Sequence, residues 1–343
     1  MKLSSAKKWA IALVLALILF IVVVHHFFAW VTVSGNSMWP RLHDGEMLVL
    51  RRSSESATRG EVAVFEVDGR WLVKTVGFVG PGWFSIRNGD LYSGQSRDAL
   101  SRMRLLDDNF LDRSQSMLGP MSESSFQVTG GRASVSDDHY HLLLDGSSEP
   151  ARVLLPVDGF YLERVSASGR PLRRNMVARD LFVSFQLPEP SDGTELLLRQ
   201  VLDGEELNGL VFKASSPGWS VSAEVVGGSL AVSSGAILTV GFVDGALWLI
   251  VAGEESRRLA SHSIGRVLQL SQISLLARGG AITLRNLSVS ADTHWGADLA
   301  SPVFVPSQAV FLLGDNPGLS EDSRSFGPIP FIQMIGRPLD GLR

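Results

Sequence analysis

Hydrophobic and polar positions divide the chain into contrasting stretches. From Trp9 to Val24 sixteen residues carry neither charge nor amide, and after His25 and His26 the apolar run resumes from Phe27 to Val31. Sixteen helical residues rise about 24 Å and the whole stretch from 9 to 31 about 34 Å, which brackets a bilayer core of roughly 30 Å. The pattern predicts one transmembrane helix over 9–31, with Trp30 and the two histidines at the far interface as interfacial side chains rather than ligands. Phe27-Phe28-Ala29-Trp30 is too bulky for a small-x-small processing site, so the segment reads as an uncleaved anchor.

Beyond residue 31 no long 3.6-residue period remains. Short runs of Val, Leu, Phe and Ile alternate with Gly, Pro, Asp and Ser, which predicts an all-β protein. Gly45-Glu46 and Gly60-Glu61 read as turns launching strands at 47–50 and 62–67, and 71–78 is a third strand. The stretch 93–125 has a weak pattern, with one short helix expected over 98–111. Between 126 and 292 strand-like runs recur every 8–14 residues, at 181–187, 195–202, 209–213, 219–226, 237–243, 246–252, 267–277 and 281–289. Turns such as Asp203-Gly204 and Asp244-Gly245 separate them, and the spacing suits a jelly-roll-like β-sandwich. Strand-like runs return at 311–313 and 329–335. The predicted division is a cytoplasmic flank (1–8), the anchor (9–31), a β domain assembled from 32–92 and 300–343, a connecting segment (93–125) and an inserted sandwich (126–292).

Composition sharpens this picture. The 343 residues are 45% hydrophobic and 19% charged, as in a folded protein. The absence of cysteine excludes disulfides, thiolate metal sites and a cysteine nucleophile. A net charge of −4 argues against nucleic acid as a partner. Lys2, Lys7 and Lys8 precede the first acid, Asp44, which orients the flank to the cytoplasm and the remainder to the extracytoplasmic side of the cell (inner) membrane.

Only Lys74 and Lys213 stand outside that flank, among five lysines in all. Lys74 lies in the run Trp71-Leu72-Val73-Lys74-Thr75-Val76, where strand alternation puts Leu72, Lys74 and Val76 on one face. Burial on an apolar face drives a lysine from its usual pKa of about 10.4 toward the neutral amine, which can act as general base for a hydroxyl. The competing reading is an edge-strand lysine with its head in water.

Three segments are dense in special residues: Ser34-Gly35-Asn36-Ser37-Met38-Trp39-Pro40; Arg59-Gly60-Glu61 followed by Val73-Lys74-Thr75-Val76-Gly77; and Gly314-Asp315-Asn316-Pro317-Gly318-Leu319-Ser320-Glu321-Asp322-Ser323-Arg324-Ser325-Phe326-Gly327. In order and spacing they resemble the boxes of type I signal peptidases, membrane-bound Ser–Lys peptidases that remove signal peptides from exported proteins. The resemblance covers roughly residues 30–92 and 305–338. It implies Ser37 as nucleophile, with its own N–H in the oxyanion hole, Lys74 as general base, and Ser320 as the hydroxyl that hydrogen-bonds and orients the lysine. Asp322 and Arg324 match a structural ion pair. Gly314, Asp315 and Asn316 shape the same turn, and Met38 and Pro40 hold the nucleophile loop. A substrate strand laid against Trp30–Val33 and Trp71–Val73, with Trp30, Val33, Trp71 and Val73 as its binding residues, would place a small-x-small site at Ser37 by strand addition. No cofactor or metal is implied.

The chain departs from the family pattern in five places. Gly35 stands where some members carry a serine donor to the oxyanion, Thr75 replaces the usual arginine after the lysine, Arg41 replaces a common threonine, and Glu46 and Glu61 replace aspartates. The 126–292 portion resembles in pattern a laminin-G or concanavalin-like sandwich, which implies an envelope glycan or protein as its partner. Its best metal candidate, Asp137-Asp138-His139-Tyr140-His141, lacks a third ligand and reads as structural. The expected partners are therefore signal peptides of secretory preproteins and the lipid bilayer, plus that envelope ligand, and no nucleic acid. The leading expectation is a signal peptidase. The alternatives are a membrane-tethered envelope-binding protein with a vestigial peptidase part, or a Ser–Lys protease dedicated to one substrate. A self-cleaving repressor is disfavoured, since nothing before the site reads as DNA-binding.

Overall fold

The computed structural model describes residues 5–54, 56–87, 89–103, 121–136, 141–156, 161–162, 176–178, 180–225, 228–243, 245–252, 257–261, 270–292, 295 and 298–339. The chain forms two compact units. Unit 1 is Met1–Asp112, Val165–Pro171 and Thr293–Arg343; unit 2 is Arg113–Arg164 and Leu172–Asp292.

Unit 1 opens with helix α1 (Ser5–Phe27), whose Ala, Leu and Ile content favours helix and which holds no internal Gly or Pro. Its described apolar side chains lie open all round the axis: Leu13, Val14, Leu15, Leu17, Ile18, Leu19, Ile21, Val22 and Val23 are each at least 44% exposed. Counting only the described residues, no helix is long and apolar enough to cross a membrane. The side chains of 5–8, 10–12 and 20 fall outside that count. Helix α1 passes without a linker into β1 (Phe28–Thr32).

The other strands of unit 1 are β2 (Met47–Arg52), β3 (Val62–Val67), β4 (Arg70–Val79), β5 (Gly82–Arg87), β6 (Asp90–Gly94), β7 (Ser101–Arg102), β8 (Val303–Val305), β9 (Ala309–Leu313), β10 (Ile329–Pro330) and β11 (Met334–Pro338), with a short helix α2 (Ser323–Phe326). They form a seven-stranded antiparallel sheet in the order β1-β2-β11-β3-β4-β9-β10 and a four-stranded sheet β8-β5-β6-β7. The far end of the chain thus supplies two strands to the middle of the first sheet, because β11 fills the gap between β2 and β3 while β9 covers β4. One turn is built twice. His43–Glu46 and Thr58–Glu61 each close with an i+3 backbone bond of 3.2 Å. In each, glycine takes a positive φ (Gly45 +82°, Gly60 +83°) and the glutamate side chain caps the first residue's N–H at 2.9 Å. The glutamates that replace aspartates therefore keep a local capping role.

The helix expected over 98–111 is not formed in its described part. Ser101–Arg102 instead pairs with Tyr92 and Ser93 of β6, and Met103 is buried with Phe84 and Leu91. Edge pairing and burial override the local helical pattern. Residues 104–111 lie outside the described residues.

Unit 2 is the expected β-sandwich. One sheet orders Arg257–Ser261, Ala246–Val251, Ile237–Val243, Leu181–Gln186, Ala281–Ala291, Leu142–Asp145 and Arg132–Val135; the other orders Leu230–Ser233, Gly218–Ala223, Leu210–Ser215, Glu195–Leu202, Ser271–Arg278, Ala151–Leu155 and Gln127–Thr129. Alternate residues from both sheets, among them Leu181, Val183, Phe185, Leu196, Leu198 and Leu275, meet in one core. His141 Nδ1 accepts the Asn286 N–H at 3.2 Å, while 137–140 lie outside the described residues. Among the described residues no three His, Cys, Asp or Glu side chains gather as a metal site.

Candidate active site

The site assembles where β4, the turn after β1 and the segment after β9 converge. Lys74 pairs in register with Ala63 of β3, and its neighbours Leu72 and Val76 pack with Ala63 and Phe65, so the lysine stem lies on an apolar face. The residue is 3% exposed, and its Nζ donates a 3.0 Å hydrogen bond to Ser37 Oγ. Burial pushes the Lys74 ammonium below its ordinary pKa, against the pull of Asp322, Asp315 and Glu321. In this arrangement a half-buried hydroxyl lies within proton-transfer distance of a desolvated amine.

The nucleophile turn is fixed from below and from the side. Met38 is buried among Leu42, Leu48, Val62 and Val73, and Pro40 is half-buried next to it. Leu42 N–H donates to Met38 O at 2.9 Å, which closes a helical turn just after Ser37. Asn316 N–H donates to the Ser37 carbonyl at 2.9 Å, so the far segment clasps the nucleophile's backbone. Gly35 has φ +81° with open space around it, and its N–H is held by Asp44 Oδ1 at 2.8 Å. A serine there would be strained, which explains the missing side-chain donor.

Gly314 explains why the third segment approaches so closely. A Cβ at 314 would stand 2.1 Å from Ser320 Oγ and 2.7 Å from the Ser37 carbonyl. Its N–H donates to Asp322 Oδ2 at 2.8 Å, and Asp322 also caps α2 through the Arg324 N–H at 3.2 Å. Arg324 grips the same carboxylate twice, Nε to Oδ1 and Nη2 to Oδ2, both at 2.8 Å, and donates to the carbonyls of Trp295 and Pro317. Asp322 and Arg324 thus form a structural pair that shapes the loop. Ser320 sits against Gly314, and its buried hydroxyl has no hydrogen-bond partner among the described residues. The expected bond from Ser320 to Lys74 is not formed; the lysine's donor is turned to Ser37.

Asp315 reaches across 240 positions to accept from Thr75 Oγ1 at 2.6 Å, and Arg41 Nε stands 3.0 Å from its other oxygen. Burial raises the Asp315 pKa, while Arg41 and the Thr75 hydroxyl oppose that rise. Two of the departures from the family pattern, Thr75 and Arg41, thus meet on the one carboxylate of Asp315.

Of the proposed substrate-binding residues, Trp30 (63% exposed) and Trp71 (41%) line one shallow pocket of about 360 Å³ with Ile21, Val24, His25 and Phe28. Val33 and Val73 are buried together under the nucleophile turn. The backbone of Val33 is not free for a substrate strand, because its N–H donates to Glu46 O at 2.8 Å and its carbonyl accepts from Gly45 at 2.9 Å. That takes the Val33 backbone out of the expected strand addition, while β1 with Trp30 is an edge strand of its sheet. The β4 half stands differently. β9 pairs with β4 only from Val79 to Thr75, with Gly77 at a bulge where a Cβ would meet Leu313 at 2.8 Å. Val76 exchanges both backbone bonds with the Gly60–Glu61 turn on the β3 side. Ladder alternation then turns Val73 and Trp71 to the other edge, which β9 leaves open.

Two family models each match one segment of the chain. A family model described as "Signal peptidase, peptidase S26" matches residues 278–339, and one described as "Peptidase S24-like" matches 14–83. The first contains Gly314 to Arg324, and the second contains Ser37 and Lys74. No curated protein matches the chain closely enough to count as a relative. Similar solved structures include the carbohydrate recognition domain of Emp47p, at 10% identity over 52% of this chain and 94% of that one, TM-score 0.34. The VIP36 exoplasmic/lumenal domain in its Ca2+/Man3GlcNAc-bound form shares 11% over 53% and 90%, TM-score 0.32. An alginate lyase from Alteromonas sp.272 shares 10% over 50% and 95%, TM-score 0.31.

Proposed function

Because the chain is a type I signal-peptidase-like protein, we propose that it is a membrane-anchored serine endopeptidase that removes signal peptides from secretory preproteins after a small-x-small motif. The observation that carries this reading is the 3.0 Å bond between a buried lysine and Ser37. In the proposed reaction Ser37 Oγ attacks the scissile carbonyl carbon as Lys74 takes its proton. The oxyanion meets the Ser37 N–H, and the Lys74 ammonium returns the proton to the leaving amine. Lys74 then takes a proton from the water that attacks the acyl carbon and gives it to Ser37 Oγ as the bond from that oxygen to the acyl group breaks. The substrate pairs in extended form with the open edge at Trp71 and Val73.

The anchor is α1, held in the cell (inner) membrane with its lysine flank cytoplasmic and the rest extracytoplasmic. Its support is an apolar surface exposed on every side, which in water has nothing to cover it. For unit 2 we keep an envelope glycan or protein as partner, on the strand pattern alone.

Purified full-length protein and a secretory preprotein test this, beside Ser37→Ala and Lys74→Ala. Cleavage after small-x-small by wild type alone is the expected result. Undiminished cleavage by Lys74→Ala would remove the proposed base. Inactivity of all three across varied preproteins would favour the envelope-binding alternative, and cleavage of one preprotein among many would favour a dedicated protease.

A further inference from the structure

The carboxylates that face Lys74 each have an arginine of their own. Asp322 is gripped by Arg324, Glu321 lies 3.3 Å from Arg70 at the start of β4, and Asp315 lies 3.0 Å from Arg41. The first and last pairs are shielded from water, whereas Arg70 and Glu321 are more than half exposed and screened. Asp315 differs from Asp322 in what it joins. One of its oxygens holds Thr75, the residue after the base, and the other holds Arg41, on the turn that follows the nucleophile. Arg41 also donates from Nη1 to the Gly60 carbonyl at 3.2 Å, in the turn that launches β3.

We propose that Arg41 is a positioning residue of the Ser37–Lys74 pair: it compensates the Asp315 carboxylate and ties the nucleophile turn to β4, so that no unpaired negative charge faces the Lys74 amine. The proposal rests on the peptidase reading and adds how its base is kept neutral. A buried carboxylate without its cation would favour the ammonium form of a lysine close by, and an ammonium cannot take the Ser37 proton. Burial lowers the Lys74 pKa while Asp322, Asp315 and Glu321 raise it; of these, Asp315 is the buried carboxylate whose cation, Arg41, stands on the turn that carries Ser37. Thr75 alone supplies a hydrogen bond to Asp315 but no charge.

The chain's lysine content allows a direct test that does not depend on turnover. With five lysines in the sequence, 13Cε-lysine labelling of the full-length protein in detergent micelles gives few resonances, and Lys74→Met assigns the one that matters. Arg41→Gln is expected to move the Lys74 titration midpoint up by roughly one pH unit. Arg41→Gln with Asp315→Asn returns it toward wild type, and Asp315→Asn alone moves it down. Arg41→Thr with Thr75→Arg, which brings a cation to the same carboxylate from β4, also lowers the midpoint relative to Arg41→Gln. An unmoved midpoint in Arg41→Gln, or a shift that Asp315→Asn does not reverse, overturns the proposal. Should Arg41→Gln alone fail to fold, the comparison of Arg41→Gln with Asp315→Asn against Asp315→Asn alone decides: the double variant is expected at the higher midpoint, and equal midpoints overturn the proposal. Preprotein cleavage by wild type is read separately, so a chain that titrates as described yet cleaves nothing would refute the peptidase reading and leave the charge pairing intact.

Discussion

Ser37 Oγ and Lys74 Nζ lie 3.0 Å apart although their residues are 37 positions apart in the chain. The bond is made by a lysine that burial holds toward its neutral form, which fixes the direction of two pH dependences.

The first concerns activity. kcat/KM should rise with pH along a limb whose midpoint is below the ordinary lysine value of 10.5, because only the neutral amine accepts the Ser37 proton. A pH–rate profile checks it. Ser37→Ala should lower kcat by about 10⁴-fold or more at every pH.

Stability follows by linkage. With its folded pKa below the unfolded value, Lys74 leaves the unfolded chain binding the extra proton between the two, so the native state gains stability as pH rises through that window toward 10.5. Lys74→Met should therefore be more stable than wild type below the window, and the gap should close as pH climbs through it. Denaturant melts at several pH values would show a gap that narrows; a constant gap would contradict the assignment.

Gly314→Ala tests the close approach. The added methyl meets Ser320 and the Ser37 carbonyl, so the variant should lose about 2 kcal/mol in stability and most of its activity through a displaced nucleophile turn. Gly318→Ala, which meets nothing within 4 Å, should leave stability within about 0.5 kcal/mol of wild type.

Proline scanning tests the open edge of β4. Trp71→Pro removes an N–H that no strand uses, so the protein should fold while KM for a preprotein rises beyond the rise seen in Trp71→Ala. Leu72→Pro removes a bond to β3 and should cost about 3 kcal/mol. Equal damage from both prolines would argue against a free edge at Trp71.

Much of this arrangement was legible in the residues. The strands at 195–202 and 237–243 follow from long apolar runs closed by turns, and the boxes around Ser37, Lys74 and Gly314 are dense enough to align by spacing. The short strands Gln127–Thr129 and Arg132–Val135 were not, since they are solvent-facing sheet edges with no apolar run to betray them. Thr75 and Arg41 appeared as unrelated departures, because their link runs through Asp315 and exists only once β9 has delivered that residue to β4. The Val33 backbone was misjudged for a similar reason: the turn that consumes it is built by residues a dozen positions later. Tertiary topology supplied what local pattern lacked.

The direct passage from α1 into β1 has a mechanical consequence. Phe27 ends the helix and Phe28 begins the first sheet, so ten positions of chain separate the end of the apolar helix from Ser37. On the proposed peptidase reading, a substrate whose own hydrophobic core stops at the same level would be measured against that length, and the cut would fall by height before any side chain is read. Inserting a few flexible residues at that junction should blur the position of cleavage and leave its rate on a short, freely diffusing peptide untouched.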